Sequence, residues 1–571
     1  MASVAAQSEV PKLKQNWVLS PLGDFSLIIA APAISLVWAA WFFLQFGPES
    51  VLAIFFVFNV AHHCPTFIRI YGDKDVLKRF RWSLILGPIF PFGLSLLTAA
   101  YLIQSGLGVD KLMFLFVILT IWDPWHFLMQ HYGFMRIYDR HNQAPRKLSS
   151  RMDLTLCWLW FGYIMIAAID WLPDLLYKLQ MAHGIPLLEL FQALPYQFLE
   201  TSLLIAASAA TLAYLGYLSW CRANGFYISW AKLALVVITF GIMYITYVPN
   251  DTVNRFLPGW NFTMGFATVG MVHVTQYLAI VWKYNRGLTN REGKARVGIF
   301  YSAFARGGFL IATLYVVFCL LYGYILSADG QRVYVLPLAG VIGNDLTQWV
   351  AAVMVSLAFT SNFLHYYYDG FIWKVRHKEN QQNLAMTEGG EEPRSTQSWW
   401  DRNIQSTAME TLARQALYFG LPIGVLALSF WYIADTTITQ PQVDFQVARQ
   451  LASQGRTAQS QQHAAAIITS IDEQLEVETS MLKVRKRAQH HLKIAALIEL
   501  RLQIDAEFLS AVDTANAEER KAQKLELIQK AINSYLTALE LPGPYMVGPT
   551  EVKRADIEHS VADLHEKMRE S

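Results

Sequence analysis

The sequence predicts an all-α, polytopic membrane protein of about eleven transmembrane helices, with a soluble helical domain at its C-terminal end. Three observations carry this expectation. Only 16% of the 571 residues are charged and 54% are hydrophobic, where a soluble globular chain carries about 25% charged residues. The apolar residues fall in blocks of roughly 20, the length that crosses a hydrocarbon core at about 1.5 Å per residue. The blocks stop near residue 433, and a charged, helically periodic tail follows. The expected division is a transmembrane helical domain over 1–433 and a soluble helical-hairpin domain over 434–571.

Taken in order, the polar opening Met1–Trp17 lacks a cleavage-site pattern and reads as a short cytoplasmic extension. Spans are expected at 24–46, 50–70, 82–104, 112–138, 153–172, 200–220, 229–248, 260–283, 304–327, 348–373 and 412–433. The stretch 184–199 is apolar but short and interrupted by Pro195, which predicts an interfacial or re-entrant helix. Basic residues test the count. Arg69, Lys74, Lys78, Arg79 and Arg81 follow the second span, Arg136, Arg140, Arg146, Lys147 and Arg151 the fourth, and Lys374, Arg376 and Lys378 the tenth. Eleven crossings from a cytoplasmic N-terminus put these clusters on one side, as the lysine and arginine excess of cytoplasmic loops requires. The expected location is a bacterial-type inner membrane, with the tail on the non-cytoplasmic face. Residues 379–401 read as a polar, flexible cytoplasmic loop.

In the tail, Val443–Ala452, Ala464–Val484, Ala488–Ala506 and Ala517–Ala538 have helical periodicity, with Leu497, Leu500, Ile504 and Phe508 on one face. Gly543, Pro544, Gly548 and Pro549 interrupt the chain before a last helix around Ile557–Met568. His490 and His491 are expected on a solvated helix face. Cys64, Cys157, Cys221 and Cys319 have no paired spacing and read as small core residues. The net charge of +2 reflects topology and points to no nucleic-acid partner.

The histidines organise the rest. Ionisable groups at membrane depth are costly unless paired, hydrated or bound to a metal. His62 and His63 lie on the second span, His126 on the fourth, His273 on the eighth and His365 on the tenth; His131 lies closer to the cytoplasmic end of the fourth. Each has polar company at helical spacing: Asn59 before His62 and His63, Gln130 after His126, Tyr277 after His273, and Asp369 after His365. Asp123 shares a face with His126 and Gln130. Counted to the next basic residue, His62 is seven positions from Arg69, His126 ten from Arg136, His273 ten from Lys283, and His365 nine from Lys374. The four spans run in the same direction, so the imidazoles share a layer roughly 10–15 Å below the loops. A shared metal explains a common layer. The competing readings are structural: packing against Pro65 for His62 and His63, a kink hydrogen bond beside Pro124 for Asp123, and a wet interface for His131.

The expected ligands are therefore His62, His63, His126, His131, His273, His365, Asp369 and Asp123, with Asn59, Gln130 and Tyr277 orienting them or contacting O2. Imidazoles suit iron, zinc, copper or nickel, and the carboxylates favour iron or manganese.

At these residues the chain resembles the membrane histidine-box oxidoreductases, the fatty-acid desaturases and hydroxylases. Asn59-Val-Ala-His62-His63 is similar to their HxxHH box with asparagine first. His126-Phe-Leu-Met-Gln130-His131 is similar to HxxxHH with glutamine penultimate, and His365-Tyr-Tyr-Tyr-Asp369 to HxxxH closed by aspartate. The resemblance implies a non-haem diiron centre facing the cytoplasm, although that family uses eight or more histidines. The chain also resembles the bacterial membrane carotenoid-cleaving dioxygenases, which place single histidines on separate helices around one iron. The expected function is an iron-dependent oxidoreductase, mononuclear or dinuclear, that acts on a lipid or isoprenoid with O2. It would take electrons from a donor on the cytoplasmic side, and the tail would bind a protein partner. The rival expectations are a transporter or channel whose His and Asp residues line a proton or metal path, a bis-histidine haem protein, and an envelope-assembly subunit. Zinc, copper or haem would then stand in place of iron.

Overall fold

A computed structural model describes residues 15–104, 115–168, 195–248, 250–258, 260–327, 339–373, 378–384, 406–424, 457–484, 486–509, 517–541, 545–547 and 550–570, with isolated positions between them. The chain forms two compact units, Met1–Ala168 with Tyr196–Ala427, and Ile169–Pro195 with Leu428–Ser571.

The regular structure among the described residues of the first unit is all helical. Pro21–Ile29 leads into α1 (Ala31–Phe46) through a bend of 54°. There follow α2 (Pro48–Ala61), α3 (His63–Tyr71), α4 (Ile89–Gln104), α5 (Val117–Tyr138), α6 (Arg146–Ala167), α7 (Tyr196–Ala223), α8 (Trp230–Tyr247), α9 (Phe262–Val297), α10 (Phe309–Leu326) and α11 (Asn344–Ile372). Seven helical segments are long and apolar enough to cross a membrane, or eight if the bent pair at 21–46 is one span, among the described residues. They mark a membrane protein, and the exposed side chains agree. Phe309, Leu310, Leu314, Val317, Phe318 and Leu321 all point out of α10, an apolar stripe that water would not favour.

The eleven expected spans are not all found among those segments. The spans 112–138 and 153–172 fold as α5 and α6, but neither is among the helices apolar enough to cross. Their polar load is the reason: Asp123, His126, Gln130 and His131 in α5, and Arg146, Lys147, Arg151 and Asp153 in α6. The span 412–433 is helical as far as 424, and its remainder lies outside the described residues, as do most of 184–199 and 385–403.

The central helix is α9. In its most apolar stretch 78% of the residues are buried, against 11% for α7. It packs against α1, α2, α3 and α8, while α11 packs against α3 and α4, α10 against α2, and α6 against α5, α7 and α8. Close approach is built into the sequence at Gly323 of α10, where an added Cβ would lie 2.2 Å from the Val57 carbonyl of α2. Pro65 breaks the second span. It has no N–H for the Ala61 carbonyl and its ring displaces that carbonyl, so the helix restarts at α3 with His62 at the break (φ −74°, ψ −10°).

A buried charge cluster ties α5, α6 and α8 together. Lys232 Nζ lies 2.7 Å from Asp139 Oδ1 and 3.2 Å from Asp153 Oδ1, and Arg136 reaches both carboxylates from the other side. The four cysteines are buried and unpaired, as expected.

In the second unit, α12 (Thr457–Val484), α13 (Ala488–Ile504), α14 (Ala517–Glu540) and α15 (Arg554–Glu570) pack each on the next. A two-residue antiparallel pair, β1 (Met546–Val547) with β2 (Thr550–Glu551), precedes α15. Leu497, Ile504 and Phe508 are buried together with Ile471, Ile528 and Ile532, and Leu500 packs beside them, as the periodicity predicted. The solvated face expected for His490 is a correction: His490 is buried and its Nδ1 lies 2.7 Å from Glu478 Oε2. Periodicity placed the residue on a helix but did not show that a carboxylate 12 positions earlier faces it.

Candidate metal centre

Four helix segments deliver one imidazole each to a common point. His62 stands between α2 and α3, α5 carries His126, α9 carries His273, and α11 carries His365. One ring nitrogen from each of the four lies within 4.8 Å of one from every other. His126 Nε2 and His365 Nε2 stand 3.1 Å apart. The rings meet edge to face, with centroids 4.4 Å apart for His62 and His365, 4.9 Å for His62 and His273, and 5.0 Å for His126 and His273.

The hydrogen bonding of these rings is incomplete. Both ring nitrogens of His62 and both of His273 are buried without a partner among the described residues. A buried polar atom normally finds a partner, because leaving it unmade costs about 1–3 kcal/mol. Two neighbouring imidazoles with unmet nitrogens need another explanation, and a cation between them would take up one nitrogen of each ring. The distances fit as well. Nitrogens bound at 2.0–2.1 Å to one ion lie about 3.4 Å apart in a tetrahedron and at most about 4.2 Å apart, so a set that lies within 4.8 Å throughout reaches bonding distance by a modest contraction. The four-imidazole set can hold a metal ion; imidazole suits iron, zinc, copper and nickel alike.

The other expected residues surround this set at different ranks. His63 stacks on His365 at 5.0 Å, but its Nδ1 is taken by Ser361 Oγ at 3.1 Å, and it lies outside the four-nitrogen set. His131 is buried against Phe240, also outside the set. Asp369 Oδ2 is 3.8 Å from both His126 Nε2 and His365 Nε2, while its Oδ1 accepts the Tyr277 hydroxyl at 2.7 Å. Asp123 Oδ1 accepts the Tyr366 hydroxyl at 2.9 Å, the kink-side hydrogen bond that its place beside Pro124 allows. Gln130 Nε2 donates to the His273 carbonyl at 3.1 Å and to Gln276 Oε1 at 3.2 Å, holding the α9 backbone at His273. Asn59 lines a narrow hollow with Asp123, Phe127, Phe161, Phe266 and His273. Its space of about 10 Å³ is room for about one water-sized molecule.

One residue was missed. Thr66 Oγ1 lies 2.6 Å from the Tyr277 hydroxyl and 2.7 Å from His365 Nδ1. The signal was present, since Thr66 follows His62 by four and His63 by three and therefore shares their side of the chain. A threonine in an apolar helix commonly bonds its own i−4 carbonyl, and that reading hides it.

No family model matches the chain, and no curated protein and no solved structure matches it.

Proposed function

We propose that this is an integral membrane metalloenzyme in which His62, His126, His273 and His365 hold a single iron ion, and that it oxidises an apolar lipid or isoprenoid substrate with O2. The convergence of four imidazoles from separate helix segments, two of them with no hydrogen-bond partner at either nitrogen, carries the reading. A single ion is favoured because four mutually close donors enclose one centre, and no second cluster of such donors occurs among the described residues. Iron is favoured because O2 chemistry on an unreactive hydrocarbon needs a redox metal, which when bound supplies the one-electron steps that side chains do not.

The chain's own residues prepare the site. Phe127, Phe161 and Phe266 wall the hollow beside His273. As it stands the hollow admits a small molecule and not an acyl chain, so substrate enters only when those rings part. Asn59 and Asp123 are the polar groups on its wall, and Tyr366 holds Asp123 in place. Gln130 steadies His273 through its carbonyl. In this proposal the eleven crossings run from a cytoplasmic N-terminus in an inner membrane. A donor on that side supplies electrons, and the C-terminal unit stands on the opposite face to bind a protein partner.

Elemental analysis of the full-length protein purified in detergent tests the site, and O2 uptake on adding a lipid extract tests the chemistry. The expected result is one iron per chain and lipid-dependent uptake, both lost in His62→Ala and His273→Ala. Stoichiometric zinc without iron would keep the site and remove the oxidation. A wild-type protein without metal would remove both.

A further inference from the structure

The hydrogen bonds behind His365 can be assigned proton by proton. Thr66, Tyr277 and His365 are all buried, so protein groups and not bulk water settle the directions. Trp373 Nε1–H can only donate, and it does so to the Tyr277 hydroxyl oxygen at 3.0 Å. Tyr277 donates its own proton to Asp369 Oδ1 at 2.7 Å. With Asp369 as an ionised carboxylate holding the Tyr277 proton, the 2.6 Å contact between Thr66 Oγ1 and the Tyr277 oxygen needs the Thr66 proton, and Asp369 Oδ1 at 3.4 Å is its other acceptor. That leaves only lone pairs of Thr66 Oγ1 for His365 Nδ1, 2.7 Å away. His365 must therefore carry its hydrogen on Nδ1 and donate it, which leaves Nε2 as a bare lone pair. That lone pair faces the His126 Nε2 atom and the centre of the four-histidine set.

We infer that Thr66 is a positioning residue of the metal centre: with Tyr277 it connects the Asp369 carboxylate to His365 through two hydroxyls, locking the ring tautomer and rotation that present Nε2 to the ion. The inference rests on the reading of the four histidines as ligands. It gives Asp369 Oδ1 the part of an anchor that acts on His365 through Tyr277 and Thr66, while Oδ2 stands 3.8 Å from His126 Nε2 and His365 Nε2. A metal-bound histidine commonly gives its second N–H to a carboxylate or carbonyl, and loss of that partner typically costs 10–100-fold in metal affinity. Here the carboxylate acts across two intervening hydroxyls, so each hydroxyl is as necessary as the carboxylate.

The test is a Co(II) titration of metal-depleted, full-length protein in detergent, followed by the visible absorption of the bound ion. Thr66→Val keeps the shape and removes the acceptor, and should weaken Co(II) binding about 10–100-fold and shift the absorption bands. Thr66→Ser, which keeps the hydroxyl, should restore both affinity and spectrum. Tyr277→Phe should weaken binding in the same direction and gives an independent reading if Thr66→Val does not fold. A Thr66→Val protein with wild-type affinity and spectrum would overturn the positioning role while leaving the metal site standing. Failure of Thr66→Ser to rescue would make Thr66 a packing residue only. A wild-type protein that binds no Co(II) would overturn the metal reading and this inference with it.

Discussion

His126 Nε2 and His365 Nε2 face each other at 3.1 Å although 239 residues separate them in the chain. His131, five residues beyond His126, does not share in this contact. Five residues turn an α-helix through about 140°, and His131 packs against Phe240 instead, with ring centroids 5.3 Å apart. His126→Ala is expected to abolish bound metal while the protein still inserts. His131→Ala should keep its metal and lose about 1–3 kcal/mol of stability. Metal per chain and detergent melting temperature on the two variants decide it; equal metal loss in both would show the ligand set to be wrongly drawn.

Gly323 offers a packing test. An added Cβ there would lie 2.2 Å from the Val57 carbonyl and 2.8 Å from Ala61 Cβ, so Gly323→Ala must push α10 away from the helix that ends at His62. Overpacking of this kind costs about 1–3 kcal/mol. The variant should melt earlier and bind Co(II) more weakly than wild type. Unchanged melting would mean that the two helices separate freely.

Lys232 is 1% exposed and lies between Asp139 and Asp153. Lys232→Met leaves two buried carboxylates with Arg136 as their remaining cation. Removing one partner from such a cluster costs about 3–5 kcal/mol. Denaturant titration in mixed micelles should show a loss of that size, and a loss below about 1 kcal/mol would mean that solvent reaches the cluster.

In the second unit, burial pushes the Glu478 carboxyl upward, but hydrogen bonds and charge from His490 and Lys493 outweigh it and hold the group below its ordinary 4.5. A carboxylate with a depressed folded value stabilises fully above its unfolded value and loses that contribution as pH falls through the folded one. The helices Thr457–Val484 and Ala488–Ile504 should therefore loosen as pH drops below about 4.5. Amide hydrogen exchange of those segments, corrected for intrinsic rates, reads this directly. Glu478→Gln should flatten the acid response, and an unchanged profile would move its cause elsewhere.

Much of the site was legible from hydropathy and spacing. His62, His126, His273 and His365 each lie seven to ten residues from a basic residue along a helix of constant rise, and their ring nitrogens do converge. The i, i+4 partners Gln130, Tyr277 and Asp369 do lie beside them. The rank of each residue was not legible. His63 and Asp369 satisfy the same spacing rules as the four converging histidines, yet one bonds the Ser361 hydroxyl and the other accepts the Tyr277 hydroxyl. Hydropathy does not by itself support the spans expected at α5 and α6, for a related reason. The polar side chains that make α5 useful also lower its apolarity, so burial inside the bundle has to support what hydropathy alone does not.

The sequence by itself determined most of the helices, their apolar surfaces and the spacing of the histidines along them, because period and hydropathy are local properties of a chain. Only the tertiary structure decided which nitrogens converge, which carboxylate stands behind them, and that Thr66 belongs to the site. Those facts depend on the rotation of helices hundreds of residues apart, and rotation is set by packing, at places such as Gly323 and the Pro65 break.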